Sequence, residues 1–131
     1  MSALIAAARA YLGVPFVHQG RSRHGLDCIG LLVCAARDAG ARIEDRADYP
    51  RDPNGLLPIE MDRQFDAVDA KAPGDILLMR FAGEPQHIAL YTGATLIHSY
   101  ASIRRVVEHR LDTKWARRIV QAYRIKEAAW R

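Results

Sequence analysis

Apolar positions recur at helical spacing in the first half of the chain and at strand spacing in the second. Leu4, Ile5, Ala8, Tyr11 and Leu12 share one helical face, with Ser2 placed to cap it and Gly13 to stop it. Val14-Pro15-Phe16 is extended, because proline keeps the residue before it out of the helical region. A polar loop over 17–26 follows, and its stretch Gly20-Arg21-Ser22-Arg23-His24-Gly25 has nothing to pack a core with. Residues 29–36 are almost wholly apolar, so the pattern predicts a second helix over about 28–39, ended by Gly40. Residues 41–54 contain Asp45, Asp48, Pro50, Asp52, Pro53 and Asn54 and read as a long polar loop. A third helix running to about Val68 would line up Leu57, Met61, Phe65 and Val68.

After the turn Ala72-Pro73-Gly74-Asp75 the rhythm shortens. Residues 76–81 form a strand-length apolar run, 83–86 a loop, and 87–91 and 95–100 the arms of a hairpin around Thr92-Gly93-Ala94. Residues 103–111 are another strand with Val106 or Val107 facing in. Residues 112–115 open a helical turn, and 119–125 are a last strand. Helices first and strands second is the α+β pattern: one domain, 1–131, with N-terminal helices packed on a C-terminal antiparallel sheet.

Charge adds a polarity to this picture. The net charge is +4, but residues 44–70 hold eight Asp/Glu against three Lys/Arg, and residues 104–131 nine Lys/Arg against three Asp/Glu. The basic end is either a solvated surface or a face for an anionic polymer. No zinc-finger spacing or aromatic RNA signature accompanies it, so nucleic acid is not the expected partner. No apolar run is long enough to span a membrane. Met1-Ser2-Ala3-Leu4-Ile5 lacks the basic region and cleavage site of a secretory signal, so synthesis in the cytoplasm without such a signal is expected.

Cys28 and Cys34 lie six residues apart on one predicted helix, a rise of about 9 Å. That exceeds the roughly 7 Å limit for a disulfide. They form neither a bridge nor a metal pair, and no metal or cofactor is expected. Cys34, within Leu-Leu-Val-Cys-Ala-Ala, reads as a small core residue. Cys28 is different. It stands where the polar loop meets the apolar helix, after Asp27, a good N-cap residue. Free backbone N–H groups and the positive end of the helix dipole there favour thiolate, the nucleophilic form.

A cysteine nucleophile needs a base, and the base needs a partner that holds its tautomer. His87 and His98 lie on the two arms of the predicted hairpin. A two-residue turn, at 92–93 or 93–94, puts both on one face, opposite or diagonal; a three-residue loop puts them on opposite faces. In the first case His87 would take the Cys28 proton and His98 would orient His87. His109 reads as a surface residue on an exposed strand. His18 and His24 flank the cysteine loop, where they could touch a substrate.

Four stretches, in this order, resemble the NlpC peptidase family, papain-like cysteine peptidases of bacterial cell walls. They are Tyr11-Leu12-Gly13-Val14-Pro15-Phe16; Gly25-Leu26-Asp27-Cys28-Ile29-Gly30-Leu31; Pro73-Gly74-Asp75-Ile76-Leu77 with His87-Ile88-Ala89-Leu90-Tyr91-Thr92-Gly93; and Leu96-Ile97-His98-Ser99. The resemblance implies a papain-like fold, Cys28 as nucleophile, His87 as base and His98 as orienting residue, with Phe16, His18 and Asp27 beside the substrate. It also implies a peptidoglycan stem peptide as substrate, often cut between D-glutamate and a diamino acid. The variant Gly-Leu-Asp-Cys-Ile-Gly is similar to members carried by phages and phage-derived particles, with tail or tail-tip proteins as partners and the cell wall as the place of action. The family has Tyr where Phe16 stands, so a hydroxyl near the thiol is missing or replaced by His18 or a backbone N–H. It has Ser where Ile29 stands, so the pocket beside the nucleophile is greasier. Acyl or thioester transfer on the same fold, a structural tail protein with an inactive site, and a nucleic-acid binder using 104–131 are the alternatives.

Overall fold

Side-chain caps fix where the first two helices begin. The structure is a computed structural model that describes residues 2–130. Ser2 Oγ accepts from Ile5 N at 3.2 Å and starts α1 (Ala3–Arg9), a bond worth about 1 kcal/mol to such a helix. The helix ends one turn earlier than its apolar spacing predicts, and Tyr11 is buried from the turn that follows. Within the polar loop two short strands, β1 (Arg21–Ser22) and β2 (Gly25–Leu26), pair as a small hairpin that the composition did not announce. Asp27 then caps α2 (Cys28–Asp38), its Oδ1 accepting from Gly30 N at 2.8 Å. Gly40, at φ 97°, supplies the left-handed residue that ends the helix.

The third helix is shorter than its periodicity suggests. α3 (Leu56–Gln64) stops before Phe65, and Val68 lies instead in β3 (Asp66–Val68). Met61 and Phe65 do turn into the core. The strands β4 (Ile76–Phe81), β5 (Glu84–Tyr91), β6 (Thr95–Tyr100), β7 (Arg105–Arg110) and β8 (Ile119–Arg124) follow, with α4 (Thr113–Ala116) capped by Asp112 before the last. The predicted loop at 83–86 is in fact a two-residue turn at Ala82 and Gly83, both at positive φ, the geometry that tight hairpins need. Pro85 enters β5 where the β4–β5 register shifts, a place where its missing N–H is tolerated.

All neighbours in the six-stranded sheet are antiparallel, in the order β3-β8-β4-β5-β6-β7. This is the α+β fold expected, with helices on an antiparallel sheet. The two faces differ in content. Ile76, Leu78, Ile88, Leu90, Ile97 and Val106 face α1 and α2 in the main core. Leu77, Met79, Ala89, Leu96 and Ala122 face the other way, under Trp115 and Ile119.

The start of α2 is pressed against the loop before it. A Cβ built on Gly30 would stand 2.0 Å from the backbone oxygen of Gly20. Helix propensity alone would make Gly30→Ala favourable by about 1 kcal/mol. Overlap with a backbone atom outweighs this, and we expect a net loss of about 2–3 kcal/mol in urea unfolding. Unchanged or higher stability would show that the 17–20 loop yields freely.

Candidate active site

Asp27 organises the loop that carries Cys28. Only 4% exposed, it is fully engaged. Oδ1 accepts from Gly30 N at 2.8 Å and Arg21 Nη1 at 3.2 Å. Oδ2 accepts from Gln19 N at 2.8 Å and from the Tyr49 hydroxyl at 2.5 Å. Its carboxylate therefore holds protein, and although Asp27 lines the cleft its oxygens already have partners. Arg21 also reaches Asp45 at 2.9 Å and the Tyr49 oxygen at 2.9 Å. These bonds, with Gln19 Nε2 donating to Tyr49 O at 2.7 Å, tie the polar segment 43–54 to the cysteine loop. Among the described residues that segment has no backbone-to-backbone hydrogen bond of its own.

A cleft of about 540 Å³ opens between this segment and the sheet. Cys28, Phe16, His18, Asp27 and His87 all line it. His18 lies edge-on to Tyr49, with ring centres 5.6 Å apart. Ser99 Oγ donates to Leu26 O at 2.8 Å and stitches β6 to the residue just before the Asp-Cys pair.

The hairpin closes through a two-residue turn at Gly93 and Ala94, with Thr92 N donating to Thr95 O at 3.0 Å and Tyr91 paired with Leu96. His87 and His98 thus share a face. His87 Nε2 and His98 Nδ1 are 2.7 Å apart. Phe81 stacks on His87 at 4.5 Å, and Tyr100 on His98 at 4.8 Å, with Trp115 edge-on to His98 at 5.0 Å. The sulfur of Cys28 lies by the backbone N–H of Ile88, the residue after His87. Among the described residues no hydrogen bond joins that sulfur to the His87 ring. Such bonds tighten when substrate binds.

The electrostatics correct one expectation. Burial pushes the Cys28 thiol up to about 12, and the Asp27 charge adds to the rise. The N–H groups of Ile88, Ile29 and Cys28 act in the opposite direction but are outweighed. Cys28 is half-buried and lines the cleft, and it also borders a small apolar cavity together with Leu31, Leu32 and Ile88. Burial also holds His87 well below the ordinary imidazole value, helped by His98 and Arg118. It lowers His98 to about 3, with His109 and Arg118 as further causes. The free site thus holds a neutral thiol and neutral imidazoles.

His109 is a second correction. It is partly buried rather than a surface residue, and its Nε2 lies 2.8 Å from His98 Nε2. Strand parity carried the signal: Val106 faces the helices, so Val107 and His109 must face His98. Tyr49 and Arg21 were also missed, because nothing in a polar loop shows which side chains turn inward. No cluster among the described residues is disposed as a metal site, and no helix is long and apolar enough to cross a membrane.

The NlpC/P60 family profile matches residues 13–124, a span that includes Cys28, His87 and His98. The chain belongs to the NlpC/P60 family. No curated protein matches it in sequence. Among solved structures, an NlpC/P60 family protein from Bacillus cereus superposes on this NlpC/P60 domain with a TM-score of 0.72 and 27% identity. The match covers 94% of this chain and 39% of that one. This domain therefore spans about two fifths of that relative's length. The peptidoglycan hydrolase RipB from Mycobacterium tuberculosis gives 0.66 and 22%, over 95% of this chain and 64% of that one. RipD from the same organism, described as a non-catalytic NlpC/p60 domain protein adapted to peptidoglycan binding, gives 0.63 and 20%, over 95% of both. The two mycobacterial likenesses bear on the fold.

The buried neutral histidines make this NlpC/P60 domain sensitive to acid. Unfolded, His87 and His98 titrate near 6.5; folded, they titrate well below. The native state binds fewer protons, so stability is full above about pH 6.5 and falls as pH drops, by up to about 1.4 kcal/mol per pH unit for each ring. Carboxylates held low, such as Glu60 and Glu108, contribute only further down. Urea unfolding between about pH 7.5 and 5 should show this loss, and replacing both histidines by Gln should flatten it. An equal slope in the variant would assign the effect elsewhere.

Proposed function

We propose that this domain is a cysteine peptidase that hydrolyses an amide bond in peptidoglycan stem peptides, with Cys28 as nucleophile, His87 as base and His98 as the residue that orients it. The observation that carries the reading is that a cysteine at a helix start and a histidine bonded to a second histidine line one cleft. Family membership and the likeness to RipB, named a peptidoglycan hydrolase, support the substrate class.

The steps follow from the groups present. Substrate displaces water from the cleft, and a carbonyl carbon is brought to the sulfur. The His87 nitrogen not bonded to His98 takes the thiol proton as the C–S bond forms. The carbonyl electrons move to oxygen, which backbone N–H groups at the start of α2 meet. The His87 proton passes to the amide nitrogen, the C–N bond breaks and the amine leaves. Water, deprotonated by His87, then attacks the thioester, releasing the acid and restoring the thiol. A thiol this hard to ionise attacks only as its proton leaves, so proton transfer and attack are coupled.

For delivery, the Gly-Leu-Asp-Cys-Ile-Gly stretch favours carriage to the wall by a phage-like particle, with tail proteins as partners. A second reading is a domain that holds wall peptides without cutting them. The raised thiol, the missing sulfur–imidazole bond and the likeness to RipD, a non-catalytic NlpC/p60 domain protein, favour it. Mass spectrometry of defined muropeptides decides between the two. We expect cleavage by the native chain and a loss of at least about 10³-fold in Cys28→Ala and His87→Ala. Intact peptides that nonetheless bind would establish the second reading, and cleavage by Cys28→Ala would remove the covalent mechanism.

A further inference from the structure

The row of rings does not end at His98. His109, on β7, meets His98 at 2.8 Å through Nε2, and its Nδ1 lies 2.9 Å from the backbone oxygen of its neighbour Arg110. Trp115 lies 5.0 Å, centre to centre, from both His98 and His109, and holds them in place. Each contact in the row is nitrogen to nitrogen or nitrogen to carbonyl, so each needs one proton on one side only.

A carbonyl oxygen can only accept. Two bare lone pairs at 2.9 Å would repel, so His109 Nδ1 carries a proton and donates it to Arg110 O. In a neutral imidazole the other nitrogen is then an acceptor. His98 Nε2 must donate to it, which leaves His98 Nδ1 as an acceptor. His87 Nε2, 2.7 Å away, must donate in turn. The free lone pair of His87 then sits on Nδ1, the nitrogen with no partner in the row.

We infer that His109 is a positioning residue: anchored on the Arg110 carbonyl, it sets the tautomers of His98 and His87 so that Nδ1 of His87 is the nitrogen free to accept a proton. The inference rests on the proposed role of His87, but the tautomer pattern exists with no substrate present. Without His109, the outer nitrogen of His98 would meet water, which donates and accepts equally well. Both inner rings would then divide between two tautomers, and in one of these Nδ1 of His87 already carries a proton and cannot accept another.

The test is long-range proton–nitrogen NMR of the ¹⁵N-labelled native chain, at about pH 8, where imidazoles are neutral. We expect Nδ1–H at His109 and Nε2–H at both His98 and His87. Nε2–H at His109, or Nδ1–H at His87, would overturn the inference whether or not any peptide is cut. His109→Leu should convert the single His87 and His98 signals into tautomer mixtures. It should lower kcat on wall peptides about tenfold with KM within about twofold, since only the base is affected. His109→Gln, whose amide oxygen accepts from His98, should restore both signals and rate. Unmixed tautomers in His109→Leu would assign the ring to packing alone.

Discussion

The Asp27 carboxylate is the joint on which the site depends. One group stops the loop, starts α2 and receives the Arg21 and Tyr49 side chains that bring in the cleft wall. Such a buried charge is tolerated because four donors surround it. It also imposes a constraint. The carboxylate that fixes the position of Cys28 opposes its ionisation. The helix start alone therefore does not ionise this thiol; in the proposed mechanism that burden falls on the imidazole of the neighbouring strand.

The sheet divides the work between its faces. One face is ordinary apolar core against the helices. The other carries the histidines, boxed by Phe81, Tyr100 and Trp115. Aromatic walls hold each ring at a fixed tilt and keep water away. The Arg118 guanidinium, 4.9 Å from the Phe81 ring centre and 4.5 Å from that of Trp115, lies outside this box and further disfavours a charge on the rings. Rigidity and basicity are thus set by the same side chains, in opposite senses.

Much of this was legible in the sequence, and the failures have physical causes. Asp27 before an apolar run marked the cap of α2, and Gly93 marked a turn, but its length, and with it the shared face of His87 and His98, stayed open between two and three residues until the strand pairing fixed it. The third helix was drawn too long because Val68 fits a period of 3.6 by chance and prefers a strand. His109 was assigned to the surface because strand parity was left open between Val106 and Val107. The rise of the thiol does not follow from the sequence because the dipole and N–H groups are local to it, whereas the burial that outweighs them is a product of the tertiary packing of α2 on the sheet.

Segment 43–54 forms one wall of the cleft while standing outside every helix and strand, attached by side chains from Gln19, Arg21, Asp27 and Gln64. Closing a loop costs little more when it is longer, about 0.6 kcal/mol for each doubling. An insertion that leaves Asp45 and Tyr49 in place would keep the cap, the sheet and the histidine row as they are. This wall is accordingly the graftable part of the scaffold: a wider or narrower cleft can be built by exchanging the residues between its anchors Glu44, Asp45 and Tyr49, while the helix and sheet beneath it keep their places.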